Sequence, residues 1–204
     1  MTKRIICVSI AIIICLSTVI SMTSCGQLPD IEPLMNRFIY LIEESKEINA
    51  IFFGVGLPVF KRGGALEERL GIYYSDNLPA YNTITYNSPY FTENQIKEKA
   101  EGLFSKQYLD RIYEGAFDGI INSGSTYMRF YELEGKIYQS IAATDFELSE
   151  RIYDYSTMTV VKPSNNEYIN VTVETYTLKD TKRVEITLSF VFERGDWYLD
   201  CPTY

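Results

Sequence analysis

Apolar residues recur at Ile31, Leu34, Met35, Phe38, Leu41, Ile42, Ile48 and Phe52, a spacing that lays one stripe along a helix. Asp30 supplies a cap at its start and Gly54 a stop. A long amphipathic helix is therefore predicted, its stripe facing a core. Glycine and proline interrupt the pattern over 54–91; Lys61 to Gly64 reads as a turn, and 81–86 as a short strand with Ile84 inward. The Lys-Arg-Gly-Gly run lacks the glycine spacing and the final Lys-Ser/Thr of a phosphate loop. Thr92 with Gln95 three residues on forms a capping box, and Ser105 caps a further helix carrying Tyr108, Leu109, Ile112 and Tyr113. Two helices divided near Gly102 follow.

From about Ser125 the period changes to two. Paired strands are expected around Glu134-Gly135, with 151–162 continuing the same sheet. Next come a strand over 167–178, a turn from Lys179 to Lys182, a second strand, and a turn at Gly195-Asp196 into a last short strand. In the second strand Val184, Ile186, Leu188, Phe190 and Phe192 form one face, and Glu185, Thr187, Ser189 and Glu193 the other. Helices first and a meander later predict an α+β fold, N-terminal helices packed on a curved C-terminal antiparallel sheet.

The beginning of the chain has a different character. Lys3 and Arg4 precede a nearly unbroken apolar run from Ile5 to Leu16, the layout of an export signal. Met22, Thr23, Ser24 and Cys25 complete a resemblance to a bacterial lipoprotein signal. That resemblance implies removal of 1–24, lipid on Cys25, a tether over 25–29 and a single α+β domain over 30–204 on the extracellular face of the cytoplasmic membrane. A plain anchor helix with an incidental cysteine is the alternative.

The chain carries 19 basic and 27 acidic side chains, net −8, and loss of Lys3 and Arg4 makes it more acidic still. Such a surface argues against nucleic acid as a partner, and is compatible with a basic protein partner or simply with solubility. No histidine is present, so histidine triads, histidine zinc sites and imidazole shuttles are excluded. After processing and lipidation only Cys201 remains as a free thiol, read as a packing residue, and no disulfide within one chain is available. No metal or cofactor is called for.

Two families share features with the later chain. The segment 81–113, followed by 128–142 and the final Gly-Asp-Trp-Tyr-Leu-Asp-Cys-Pro-Thr-Tyr, resembles the cell-wall D,L-endopeptidase inhibitors of Gram-positive bacteria. Early helices before an antiparallel sheet that ends in a strand with Trp197 and Tyr198 resemble the cone-shaped nuclear-transport-factor-two-like domains. The first resemblance implies a non-enzymatic cell-surface lipoprotein that binds and blocks a cell-wall peptidase. The second implies an extracellular binding module for a small ligand, peptide or cell-wall fragment.

Neither reading requires a catalytic residue. Asp145 and Glu147 share strand parity and Asp154 lies nearby, so the spacing permits a carboxylate pair of the kind used on glycosidic bonds, but acids among turns and sheet edges read as structural or solvent-exposed. Tyr131, Tyr138, Tyr153, Tyr155, Tyr176 and Trp197 are candidates for an aromatic binding surface; Tyr127 and Tyr168 belong to the same group of wall or core aromatics. Asn170 begins an Asn-Val-Thr glycosylation pattern, read as a chance match in a chain with a bacterial-type anchor.

Overall fold

A computed structural model describes residues 29–60, 81–122, 125–141 and 148–204, with 120–122 and 125–127 described by backbone alone. The signal run, Cys25, the Lys61 to Gly64 turn, Asp145 and Glu147 lie outside the described residues. Among those described, no helix is long and apolar enough to cross a membrane.

The predicted first helix is α1, Met35–Phe53, entered through a single 3₁₀ turn at Glu32–Leu34. Asp30 accepts the Glu32 N–H at 3.0 Å, so it caps the 3₁₀ turn and not α1 itself. The stripe is buried as expected at Phe38, Leu41, Ile42, Ile48 and Phe52, but Ser45 and Asn49 are buried with it. α1 stops at Gly54. Its last carbonyls, which have no partner within the helix, are taken by Arg129: Nε donates to Ile51 O at 2.7 Å and Nη2 to Gly54 O.

The remaining helices follow local signals closely. α2, Glu93–Glu101, opens with both halves of the Thr92–Gln95 capping box. α3, Lys106–Tyr113, is capped by the Ser105 side chain on the Tyr108 N–H. Between them the backbone clamps the end of the sheet, Ser105 N donating to Leu199 O at 2.7 Å and Leu199 N to Leu103 O at 2.9 Å.

The strands form more than one sheet. β1 (Val59–Phe60), β2 (Tyr81–Ile84), β5 (Phe130–Leu133) and β6 (Lys136–Ser140) pair antiparallel in the order β1-β2-β6-β5. β3 (Ile120–Asn122) and β4 (Ser125–Tyr127) form a separate ribbon. β7 (Arg151–Val161), β8 (Tyr168–Thr177), β9 (Val184–Glu193) and β10 (Asp196–Leu199) form a meander, order β10-β9-β8-β7. The hairpin at Glu134-Gly135 thus joins β2, and β7 opens a new sheet instead of continuing the old one. The last turn also sits one residue earlier than predicted: Glu193 pairs with Asp196, leaving Arg194 (φ 53°) and Gly195 (φ 83°) as the left-handed turn residues.

The α+β class holds, with an N-terminal helix set against C-terminal antiparallel sheets. Phe38 of α1 stacks on Phe190 of β9 at 3.9 Å and meets Trp197 of β10 edge-on at 5.7 Å. Arg37 fixes the crossing from the rim, paired with Asp196 at 2.9 Å and donating to Trp197 O at 3.1 Å. On β9, Leu188 and Phe190 are fully buried, while Val184 and Phe192 at the ends of the same face are exposed because α1 covers only the middle.

Candidate functional site

The aromatic candidates fall into separate places. Tyr131 and Tyr138 face each other across the β5–β6 hairpin and are half-buried. Tyr153 and Tyr155 share a face of β7, rings 5.9 Å apart; Tyr153 is buried and Tyr155 half-buried. Tyr176 lies on β8 opposite Ile152, beneath the Arg183 guanidinium. Trp197 is buried on β10, at the opposite edge of that sheet from β7. They do not converge on one surface; Tyr153 and Tyr155 are the pair nearest the cavity described below.

After β10, residues 200–204 run back between α1 and β7. Thr203 is held there from three directions. Its carbonyl accepts the Tyr153 hydroxyl at 2.7 Å, its Oγ1 accepts Asn49 Nδ2 at 2.6 Å, and Oγ1 lies 2.5 Å from Ser45 Oγ. The proton order of this chain is fixed by its far end. Ser45 donates its one hydroxyl proton to Ile42 O at 2.7 Å, so Thr203 must donate to Ser45, and Thr203 Oγ1 must accept from Asn49. The Asn49 amide is thereby locked with its nitrogen toward Thr203 and its carbonyl turned away.

That carbonyl, Asn49 Oδ1, has no hydrogen-bond partner although Asn49 is only 2 % exposed. Beside it lies a cavity of about 250 Å³ lined by Lys46, Ala50, Val55, Arg151, Thr203 and Tyr204, among others. Arg151 Nε, in the same wall, is likewise buried and unpartnered. An unpaired buried acceptor or donor costs about 1–3 kcal/mol, so two in one wall are a standing demand for a complementary group.

The charges around the cavity are partly spent. Lys46 pairs with Glu43 at 2.7 Å and reaches Glu150 at 3.7 Å. Burial pushes the Glu43 carboxyl up, but hydrogen bonds from Lys46 and Tyr155 and the Lys46 charge carry it below its ordinary value. A loop at 54–57 closes one side, held by Gln139, which accepts Leu57 N–H at 2.6 Å and donates to Val55 O at 3.0 Å.

A second cavity, about 520 Å³, lies across Tyr204 and is lined by Phe52, Phe53, Tyr108, Arg111, Arg129 and Pro202, among others. Arg129 is committed to the α1 carbonyls, and none of the buried unpartnered side-chain atoms found among the described residues lines this space. The smaller cavity is the stronger candidate.

Of the three acids, Asp154 is a half-buried β7 residue. Ser156 and Arg183 hydrogen-bond its carboxylate and hold it below its ordinary value, and Arg183 also bridges to Glu174 across the strand. No group of three potential metal ligands occurs among the described residues. Asn170 is buried, donating to Pro163 O at 2.6 Å and accepting from Ser189 Oγ at 2.8 Å, which leaves no exposed amide for a glycan. Burial pushes the Cys201 thiol up to about 11, in keeping with a packing role.

Lys46, Asn49, Arg151 and Thr203 were not singled out by sequence reasoning. One signal was present: Ser45 and Asn49 fall at helix spacing within the apolar stripe, between Ile42 and Phe52. No protein-family model matches the chain, and no curated protein matches it. The functional reading accordingly rests on the residues themselves.

Proposed function

We propose that the protein is a non-enzymatic binding module, held at the outer face of the membrane by lipid on Cys25, that takes a small ligand in the cavity between α1, β7 and residues 203–204. The observation that carries this reading is the locked Asn49 amide, whose buried carbonyl lacks a partner beside a cavity of about 250 Å³. A side chain kept only for packing is better served by an apolar residue at this depth, because a half-satisfied polar group costs stability. A curved sheet enclosing a cone-shaped pocket, as in nuclear-transport-factor-two-like domains, belongs to the same proposal.

The test is a fragment panel of small acids, amides and sugars titrated into the full-length protein in detergent micelles and followed by NMR. Ala50→Phe, which fills the cavity from α1, is the comparison. Fragments that shift resonances of the cavity wall and fail to do so in A50F support the reading. Absence of binding across the panel, or binding indifferent to A50F, contradicts it. Cys25→Ser tests the anchor separately: the protein should leave the membrane fraction.

A second reading, inhibition of a cell-wall D,L-endopeptidase by surface blockade, is favoured by the net charge of −8, which suits a basic enzyme. Dose-dependent loss of peptidoglycan cleavage, unaffected by A50F, would select it over the cavity.

A further inference from the structure

We infer that the ligand of the smaller cavity is the carboxylate of an N-acylated amino acid, alone or as the carboxyl end of a short peptide, with Arg151 receiving the carboxylate and Asn49 Oδ1 the amide N–H. This rests on the binding-module reading and adds the ligand's chemistry to it.

Two of the lining residues each hold a buried atom without a partner, the acceptor Asn49 Oδ1 and the donor Arg151 Nε, so a ligand that reaches both must bring a donor and an acceptor. Arg151 Nε–H lies on the edge of a planar guanidinium, the edge that a carboxylate engages with two parallel bonds. Lys46 is already spent on Glu43 at 2.7 Å and on the exposed Glu150 at 3.7 Å, so the charge that a ligand meets is the Arg151 guanidinium. An anionic acceptor is favoured in this setting.

The donor, by the same charge, is neutral. A free ammonium placed at Asn49 would be taken out of water in a cavity that Arg151 also lines, whereas an amide N–H satisfies Oδ1 without bringing a charge. The remaining walls, Ala50, Val55, Leu148 and the Tyr204 ring, suit a small aliphatic side chain. At about 250 Å³ the space is below the roughly 300–1,000 Å³ of drug-sized sites, which limits the ligand to one or two residues. Both unpaired atoms are closed off from solvent, so binding requires the wall to yield. Val55 and Tyr204 are its exposed apolar side chains, at 53 % and 38 %.

Calorimetry on the full-length protein in detergent micelles tests this with N-acetylalanine, N-acetylalanylalanine, the methyl ester of N-acetylalanine and its N-methyl derivative. The expected result is saturable one-to-one binding of the free acids, with the ester and the N-methyl compound each about tenfold weaker or worse. Arg151→Gln should weaken the free acid about tenfold while leaving the ester unchanged, and Asn49→Leu should erase the penalty of N-methylation. If Asn49→Leu does not fold, the Arg151→Gln comparison stands alone. Comparison of the first two compounds tells a single acyl amino acid from a peptide end. Equal binding of acid, ester and N-methyl compound overturns the ligand class while leaving cavity binding intact. No binding of any of the four overturns this inference, and the fragment panel with A50F decides separately whether the cavity binds anything.

Discussion

Replacing Thr203 by valine removes one hydroxyl and almost nothing else. The two side chains have nearly the same shape, Thr203 is 3 % exposed, and the bond from Tyr153 goes to its backbone carbonyl, which the substitution leaves in place. Lost are the bond to Ser45 at 2.5 Å and the bond from Asn49 at 2.6 Å. Ser45 keeps its donation to Ile42 O, but Asn49 Nδ2 is stranded in addition to the carbonyl that already lacks a partner. A buried hydrogen bond contributes about 1 kcal/mol net and a stranded donor costs about 1–3 kcal/mol, so T203V should cost about 3 kcal/mol. For a domain of this size that lowers Tm by roughly 6–12 °C. Thr203→Ser, which keeps the hydroxyl, should cost about 1 kcal/mol or less. Urea unfolding of the wild type, T203V, N49L and the double variant measures the coupling directly. With the chain ordered from Asn49 to Thr203 to Ser45 to Ile42, the double variant is less destabilised than the sum of the singles by about 1 kcal/mol or more. A T203V cost below about 0.5 kcal/mol, or simple additivity, would refute the proton order and with it the locked amide.

Gly56→Ala should be among the costliest single changes in the loop beside the cavity. Gly56 has φ +80°, and a Cβ there would come within 2.1 Å of Gln139 Oε1, displacing the side chain that holds Val55 and Leu57; about 3 kcal/mol of destabilisation is expected by urea unfolding. Cys201 should resist thiol reagents at about pH 8 in the folded protein, since its thiol is held up to about 11, and should react once urea unfolds the chain. The folded Glu43 carboxyl lies below its ordinary 4.5, so its contribution to stability is present above that value and lost as pH falls through the lower folded one. Tyr155→Phe removes one bond that keeps it low, and the Tm difference between wild type and Y155F should shrink on acidification; as the group is partly exposed, the effect stays below about 1 kcal/mol.

The elements whose specification is local were legible. Thr92 and Gln95 satisfy each other's backbone within one turn, Ser105 caps the next helix, and Glu134-Gly135 forms a left-handed turn that only a few residue types accept. The α1 stripe and the β9 alternation were legible because each repeats over many residues. What failed was pairing at a distance: nothing in 136–140 announces that β6 lies beside β2, 55 or more residues earlier, while β7 begins another sheet. The candidate site failed for the same reason. Asn49 becomes informative only when Thr203 arrives from 154 positions away, and Arg151 only when both line one cavity. The aromatic candidates were open in the sequence between wall or core packing and a binding surface; Trp197 and Tyr153 are drawn into the core by Phe38 and by the Thr203 carbonyl, partners that lie far away along the chain.

The most direct test of the central claim is the ¹³C shift of the Asn49 side-chain carbonyl in the full-length protein, followed as N-acetylalanine is added. The account predicts that this carbon and the Arg151 Nε resonance move together and saturate with the same affinity, as the unpaired acceptor gains its donor and the unpaired donor its acceptor. Saturable binding that leaves both resonances unmoved, or no binding at all, would contradict it.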